Sequence, residues 1–177
     1  MDCSPELIIE KYADLVYKIC MTKLYYFDRS SVADACQNVF LNYLKEPREF
    51  KNDEHEKAWF IRTAINCCTN IYKKNKYKVS NEESVDISEF NISVSGDFKN
   101  SEDDGLYEIL ALLPEKIRYA VYLYYIEEYS TEEIAKILKT SGASVRMRLK
   151  RGREILREKL GNYNNFMKSN ERSVADV

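Results

Sequence analysis

Apolar residues recur at helical spacing in three stretches of the first half of the chain. Leu7, Ile8, Tyr12, Leu15, Val16, Ile19 and Cys20 follow at intervals of three and four, one face of a helix reaching about Leu24. Ser4-Pro5-Glu6 supplies its start: a capping hydroxyl, a proline at the first helical position and an acid at the positive end of the dipole. Asp28 to Ser31 reads as a break with a new cap. Val32, Cys36, Val39, Phe40, Tyr43 and Leu44 form the next apolar face, which Pro47 ends. Phe50 to Glu56 is a polar loop by pattern. Lys57 opens a third helix through Trp59, Phe60, Ala64, Ile65, Cys68 and Ile71, running out into Lys73, Lys74, Lys76 and Lys78.

From about Val79 to Gly105 the periodicity collapses into Ser, Asn, Asp and Glu with isolated Val85, Ile87, Phe90, Ile92 and Val94, as expected of a tether. Helical spacing resumes at Leu106 and holds to Leu160. Ser130 and Glu133 form a capping box at the head of a short helix whose apolar face is Ile134, Ala135 and Leu138. Ser141 offers a second N-cap three residues later. Val145, Leu149, Gly152 and Leu156 then make an apolar stripe, with Arg146, Lys150, Arg151 and Arg153 off it. The expected fold is all-α: two small helical domains joined by a flexible acidic linker, the second a helix-turn-helix domain. The expected bounds are 1–79, a linker over 80–105, 106–161, and a polar tail over 162–177.

Composition supports a helical chain, since 177 residues contain only 5 Gly and 3 Pro. The net charge of −2 hides a segregated pattern. Basic blocks at 73–78 and 146–159 flank acidic residues Glu82, Glu83, Asp86, Glu89, Asp97, Glu102, Asp103 and Asp104. Cys3, Cys20, Cys36, Cys67 and Cys68 are odd in number and lack metal-ligand spacing, so reduced, packed thiols are expected and no metal. No apolar run approaches membrane-spanning length, and the first residues lack a secretory pattern, so a cytoplasmic chain without a membrane role is expected. His55, the one histidine, lies in a charged segment without a nucleophile beside it. No catalytic residues, no enzyme activity and no cofactor are expected.

A capped helix, a tight turn and a second helix with cations outward is the geometry that enters a DNA major groove. A hairpin with a solvated basic face satisfies the same pattern. Further motifs bear on the choice. Asp34, Gln37 and Phe40, in Ala33-Asp34-Ala-Cys-Gln37-Asn-Val-Phe40, resemble the polymerase-clamp helix of small bacterial RNA polymerase sigma factors, the extracytoplasmic-function group. Ala58-Trp59-Phe-Ile-Arg62-Thr-Ala-Ile-Asn66 resembles their promoter-melting helix. Leu113-Pro114-Glu-Lys-Ile-Arg118 resembles the opening of their second DNA-binding domain. Tyr129-Ser130 with Glu133 and Ala135, then Ser141 through Arg153, resemble its two helix-turn-helix helices. Asn38 stands where these proteins usually have Glu, and Glu128 where Gly is common.

The resemblance implies core RNA polymerase and promoter DNA as partners, with the linker threaded through polymerase, and admits a dedicated anti-sigma factor. It implies that the third helix reads the minus-ten element as a melted strand, and that the segment from Phe50 to Glu56 captures a flipped base. The candidates for DNA there are Arg62, Asn66, Lys73 and Lys74, with Asn52 and Asp53 beside them. Trp59, Phe60, Ile65 and Ile71 share one face and read as core. In the second domain Arg146, Lys150 and Arg151 lie on one side of the recognition helix, suited to base edges. Ser144 near the helix start suits a phosphate. Arg148 and Arg153 suit either phosphate or pairing with Glu154 and Glu158. Asp34, Gln37, Asn38 and Leu41 are the polymerase candidates, and Phe40 reads as core. The alternatives are a regulator that binds duplex operator DNA without polymerase, and a protein–protein module with no DNA role.

Overall fold

The computed structural model describes residues 5–27, 29–45, 48–80 and 104–160, the side chains of 75–80 and of 104 excepted. Residues 81–103 of the expected linker, the expected tail, the Ser4 cap, Asp28, Pro47, Cys3, and the side chains of Lys76 and Lys78 lie outside the described residues, whereas Ser80, Asp104 and Gly105, expected in the linker, are helical. All regular structure among them is helical. The chain divides into two compact units, one ending at Asp104 and the other beginning at Gly105.

In the first unit α1 (Pro5–Leu24), α2 (Arg29–Lys45) and α3 (Asp53–Ser80) each pack against the other two. Ile8, Tyr12, Val16, Ile19 and Leu24 of α1 meet Val32, Ala35 and Val39 of α2 and Phe60, Ile61, Ala64 and Cys68 of α3, all buried. Each large side chain so buried contributes roughly 1.5–3 kcal/mol. Leu7 and Leu44, expected on the apolar faces, are instead 55% and 50% exposed, because they lie at the rims of those faces. The Tyr12 ring stacks on Phe60 at 4.2 Å, and its hydroxyl donates to Glu56 Oε2 at 2.8 Å. Lys11 Nζ donates to the same oxygen at 3.1 Å. The start of α3 is thereby tied to α1.

Asp53 to Glu56 are not loop, as their polarity suggested, but the first turn of α3. Asn52 Oδ1 accepts the His55 N–H at 2.8 Å, and Glu56 N–H donates to the Asn52 carbonyl at 3.1 Å. Asp53, Glu54 and Glu56 sit at the positive end of the helix dipole. The helix therefore begins four residues before Lys57.

The second unit comprises α4 (Asp104–Ala111), α5 (Glu115–Tyr125), α6 (Thr131–Ile137) and α7 (Gly142–Leu160). Between α4 and α5 the Arg118 guanidinium donates to the Ala111 carbonyl at 3.0 Å and to the Leu113 carbonyl at 2.9 Å. It satisfies backbone acceptors at the end of α4, which gives Leu113–Arg118 a structural meaning. At the head of α6 the capping box is closed: Glu133 N–H donates to Ser130 Oγ at 3.3 Å, and Ser130 N–H to Glu133 Oε2 at 2.7 Å.

Glu128 turns the chain with φ 58°, a left-handed conformation that favours glycine. The turn lets Tyr129 N–H reach the Leu123 carbonyl at 3.0 Å. Lys139, at φ 49°, ends α6 in the same conformation, and Thr140 N–H donates back to the Ala135 carbonyl at 2.9 Å.

The seam between α5 and α7 is closest at Gly152. A Cβ there would lie 2.7 Å from Val121 Cγ2 and 3.0 Å from Ile117 Cγ2. Both neighbours are β-branched and stiff. Gly152→Ala gains helix propensity of about 1 kcal/mol, but overpacking costs about 1–3 kcal/mol. Urea unfolding of the second unit is expected to show a net loss of about 1 kcal/mol, the difference of those terms.

Burial, together with the Glu56 carboxylate, pushes Tyr12 from its ordinary 10.0 up to about 12. A phenol raised on folding stabilises the fold fully below its unfolded value and loses that contribution as pH rises through the folded one. The first unit is therefore expected to lose stability between pH 10 and 12, and Tyr12→Phe to flatten that slope in alkaline denaturation.

Candidate nucleic-acid interface

Three polar surfaces emerge from the two units, and packing of the apolar faces fixes each. On α3, Phe60, Ile61, Ala64 and Cys68 turn inward. Asn66, Asn70, Lys73 and Lys74 are then exposed and Arg62 half-buried, one stripe at helical spacing. The sequence candidates Arg62, Asn66, Lys73 and Lys74 share that stripe. Asn70 joins them; its spacing of four from Asn66 was the available signal.

Lys23 also bears on this region. It is 6% exposed, its Nζ donates to Thr69 Oγ1 at 3.1 Å and it lies 5.0 Å from the Tyr72 ring centroid. This lysine positions the inner side of α3 beneath the exposed cations. Trp59 is half-buried, edge-on to Phe60 at 5.1 Å, with Arg48 4.9 Å from its ring centroid. Ile65 and Ile71 are half-buried, so only Phe60 of that expected core face is fully sealed.

Asn52 and Asp53 stand at the head of α3, both exposed. The Asn52 side chain caps the helix, and Asp53 lies 3.5 Å from Lys11 Nζ. On α2, Val32, Ala35 and Val39 are buried. Asp34, Gln37, Asn38 and Leu41 are exposed along the opposite face, which Leu44 extends. Phe40 is half-buried with its ring 5.8 Å from Phe60, consistent with a packing role.

On α7, Val145, Leu149, Gly152 and Leu156 are sealed against the rest of the unit. Lys150 and Arg151 are exposed, and Arg146 and Arg148 half-buried. Arg146 Nη1 lies 3.5 Å from Glu132 Oε1 of α6, an exposed pair of small energetic weight. Arg153 pairs with neither Glu154 nor Glu158; it donates to the Tyr125 hydroxyl at 3.3 Å. Ser144 is half-buried and its N–H donates to Ser141 Oγ at 3.1 Å, so the cap occupies one amide expected to be free. Met147, unremarked in the sequence, is 64% exposed among these cations. Its place off the 145–149–152–156 stripe was the signal.

Residues 8–77 match the family description "Sigma-70 region 2" and residues 104–156 match "Sigma-70, region 4", in that order. The chain is a sigma-70 family protein. Its relatives place it in the extracytoplasmic-function group. The ECF RNA polymerase sigma-E factor of Haemophilus influenzae is 24% identical over 165 residues, covering 87% of this chain and 86% of the relative. The ECF RNA polymerase sigma factor SigW of Bacillus subtilis is 26% identical over 168 residues, covering 86% and 87%. The fold is shared with the sigma factor RpoE of Bartonella quintana, solved with the anti-sigma factor NepR: TM-score 0.64, 18% identity, 86% of this chain and 96% of that one. CnrH, solved with the cytosolic domain of CnrY, gives TM-score 0.61 at 17% identity, covering 88% and 86%.

The Asn52 cap makes a specific statement about the head of α3. Asn52→Ala is expected to cost the first unit about 1 kcal/mol, and Asn52→Ser much less, because serine retains the capping oxygen. Urea unfolding followed by fluorescence of Trp59, the one tryptophan, measures both. Promoter melting lost in Asn52→Ser at unchanged stability would show that the amide also reads a base.

Proposed function

We propose that the three surfaces divide the work of promoter recognition. As a sigma factor the chain binds core RNA polymerase and directs promoter-specific initiation. The exposed face of α2, Asp34, Gln37, Asn38 and Leu41, meets polymerase. The α3 stripe, Arg62, Asn66, Lys73 and Lys74, holds the melted minus-ten strand: cations neutralise phosphate, and amides hydrogen-bond to unstacked bases. Asn52 and Asp53 flank it at the opposite end of the helix.

In the second unit α7 enters the major groove at the minus-thirty-five element. Arg146, Lys150 and Arg151 face base edges, and Ser144, Arg148 and Arg153 the backbone. Met147 presents an apolar side chain suited to a thymine methyl. The carrying observation is the segregation of α7, sealed on 145–149–152–156 and cationic on its outer side.

Holding two modest contacts on one polymerase scaffold multiplies them, as tethered binding does. A regulator acting on duplex DNA alone has no use for the basic exit of α3 beside a separate helix-turn-helix unit. The sigma factor RpoE of Bartonella quintana was solved with an anti-sigma factor, which supports the same class of partner here. No described helix is long and apolar enough to cross a membrane, which suits the cytoplasmic site of transcription.

Loss of a bidentate arginine–guanine contact costs about 1–3 kcal/mol, roughly 5- to 150-fold. Arg146→Ala and Arg151→Ala are each expected to weaken promoter recognition by such a factor while core association is unchanged. Asp34→Ala and Gln37→Ala are expected to do the reverse, weakening association with core. Affinity for core and run-off transcription measure the two separately. Normal transcription by both arginine variants removes the recognition-helix assignment.

A further inference from the structure

A carboxylate from one helix of the helix-turn-helix pair stands against a guanidinium of the other. Glu132 lies in the first turn of α6, and its Oε1 is 3.5 Å from Arg146 Nη1 of α7. The Thr131 hydroxyl donates to both oxygens of that carboxylate, at 2.9 and 3.0 Å. The capping box of Ser130 and Glu133 fixes the backbone beneath it. Arg146, for its part, folds back along α7: its Nη1 lies 3.5 Å from where a Cβ at Gly142 would stand. The guanidinium therefore rests at the amino-terminal tip of α7, over a residue with no side chain to displace it. Arg146 is half-buried there, whereas Lys150 and Arg151, further along, are exposed.

An exposed ion pair adds little to stability. Its effect on recognition is of another kind. A long side chain free in solvent loses rotamer freedom when it docks on a base. An arginine already held by Glu132 and resting over Gly142 loses less.

The pair also divides the charge. Sequence-independent attraction to DNA comes from cations that neutralise phosphates, and the carboxylate compensates part of Arg146. Guanine reading depends instead on a planar fork of N–H donors. A guanidinium carries five such donors. Directing one at Glu132 leaves enough for O6 and N7 of a guanine. Arg153 shows the contrast, because its partner is the neutral Tyr125 hydroxyl, which leaves its charge whole for the backbone.

We propose that Glu132 is a positioning residue for promoter recognition: it holds Arg146 in the orientation that reads a guanine and opposes its use as a phosphate contact. The proposal rests on the reading that α7 enters the major groove with Arg146 at base edges.

The test uses core polymerase with the full-length chain and a pool of duplexes randomised over both promoter elements. Sequencing of the bound fraction gives the base preference at each position. The position whose preference collapses in Arg146→Ala is the one Arg146 reads. Glu132→Gln removes the charge, keeps the shape and leaves the Glu133 capping box intact. It is expected to weaken preference at that same position by roughly fivefold, which is about 1 kcal/mol, and to leave the other positions unchanged. The ratio of affinities for a selected duplex and an unselected one is expected to fall by the same factor. On the Arg146→Ala background that ratio is expected to stay where it is.

A preference that falls equally at every position is what a disturbed fold would give, and it would overturn the proposal. So would no fall at all, or an equal fall in the ratio on the Arg146→Ala background. Unchanged preferences in Arg146→Ala itself remove the reading of Arg146 and the proposal with it. A collapse there without one in Glu132→Gln removes the proposal alone.

Discussion

Taking a guanidinium or ammonium group out of water costs several kcal/mol unless it is paired, and that cost organises α7. A helix bearing Arg146, Arg148, Lys150, Arg151 and Arg153 can pack only along a stripe that avoids them all. The stripe runs Val145, Leu149, Gly152 and Leu156, and at Gly152 it admits the branched side chains of α5 within van der Waals contact. A glycine inside a helix costs about 0.5–1 kcal/mol relative to alanine. Here that cost allows the backbones to close, so that α7 is held rigidly with its cations outward. Major-groove recognition needs such rigidity, because base edges are read by side chains whose backbone does not move.

The first unit obeys the same constraint with a different result. Three mutually packed helices leave each helix one solvent face, and the faces of α2 and α3 carry different chemistry. The α2 face has one acid, two amides and exposed leucines, a composition suited to a protein surface. The α3 face has amides and cations, suited to a strand of nucleic acid. The α3 face is fixed against α1 by contacts beneath it: Tyr12 to Glu56 at the head of α3 and Lys23 to Thr69 further along. The matches to sigma-70 regions 2 and 4 fall on these two units and omit the segment between.

Much of this was legible in the linear pattern, and the exceptions share a cause. The capping box at Ser130, the cap at Ser141 and the sealed stripe of α7 are local, set by residues within four positions of one another, and each appears where the spacing put it. Asp53 to Glu56 were read as loop because polarity was weighed without the helix dipole, which rewards acids in a first turn. Arg153 was left between phosphate and its helical neighbours, because Tyr125 is distant in sequence and near only in space. Arg118 works over a shorter range, reaching back across the turn to carbonyls five and seven residues earlier.

The order and type of the helices, the charge segregation and the exposure of Lys73, Lys74, Lys150 and Arg151 were therefore determined by the amino-acid sequence alone, since periodicity and desolvation act within one turn or along one face. Tertiary structure decided which residues from different helices touch. It set Glu132 beside Arg146 and Glu56 against Tyr12. Such contacts depend on helix crossing and rotation, which follow from how side chains of different sizes fill a shared interior.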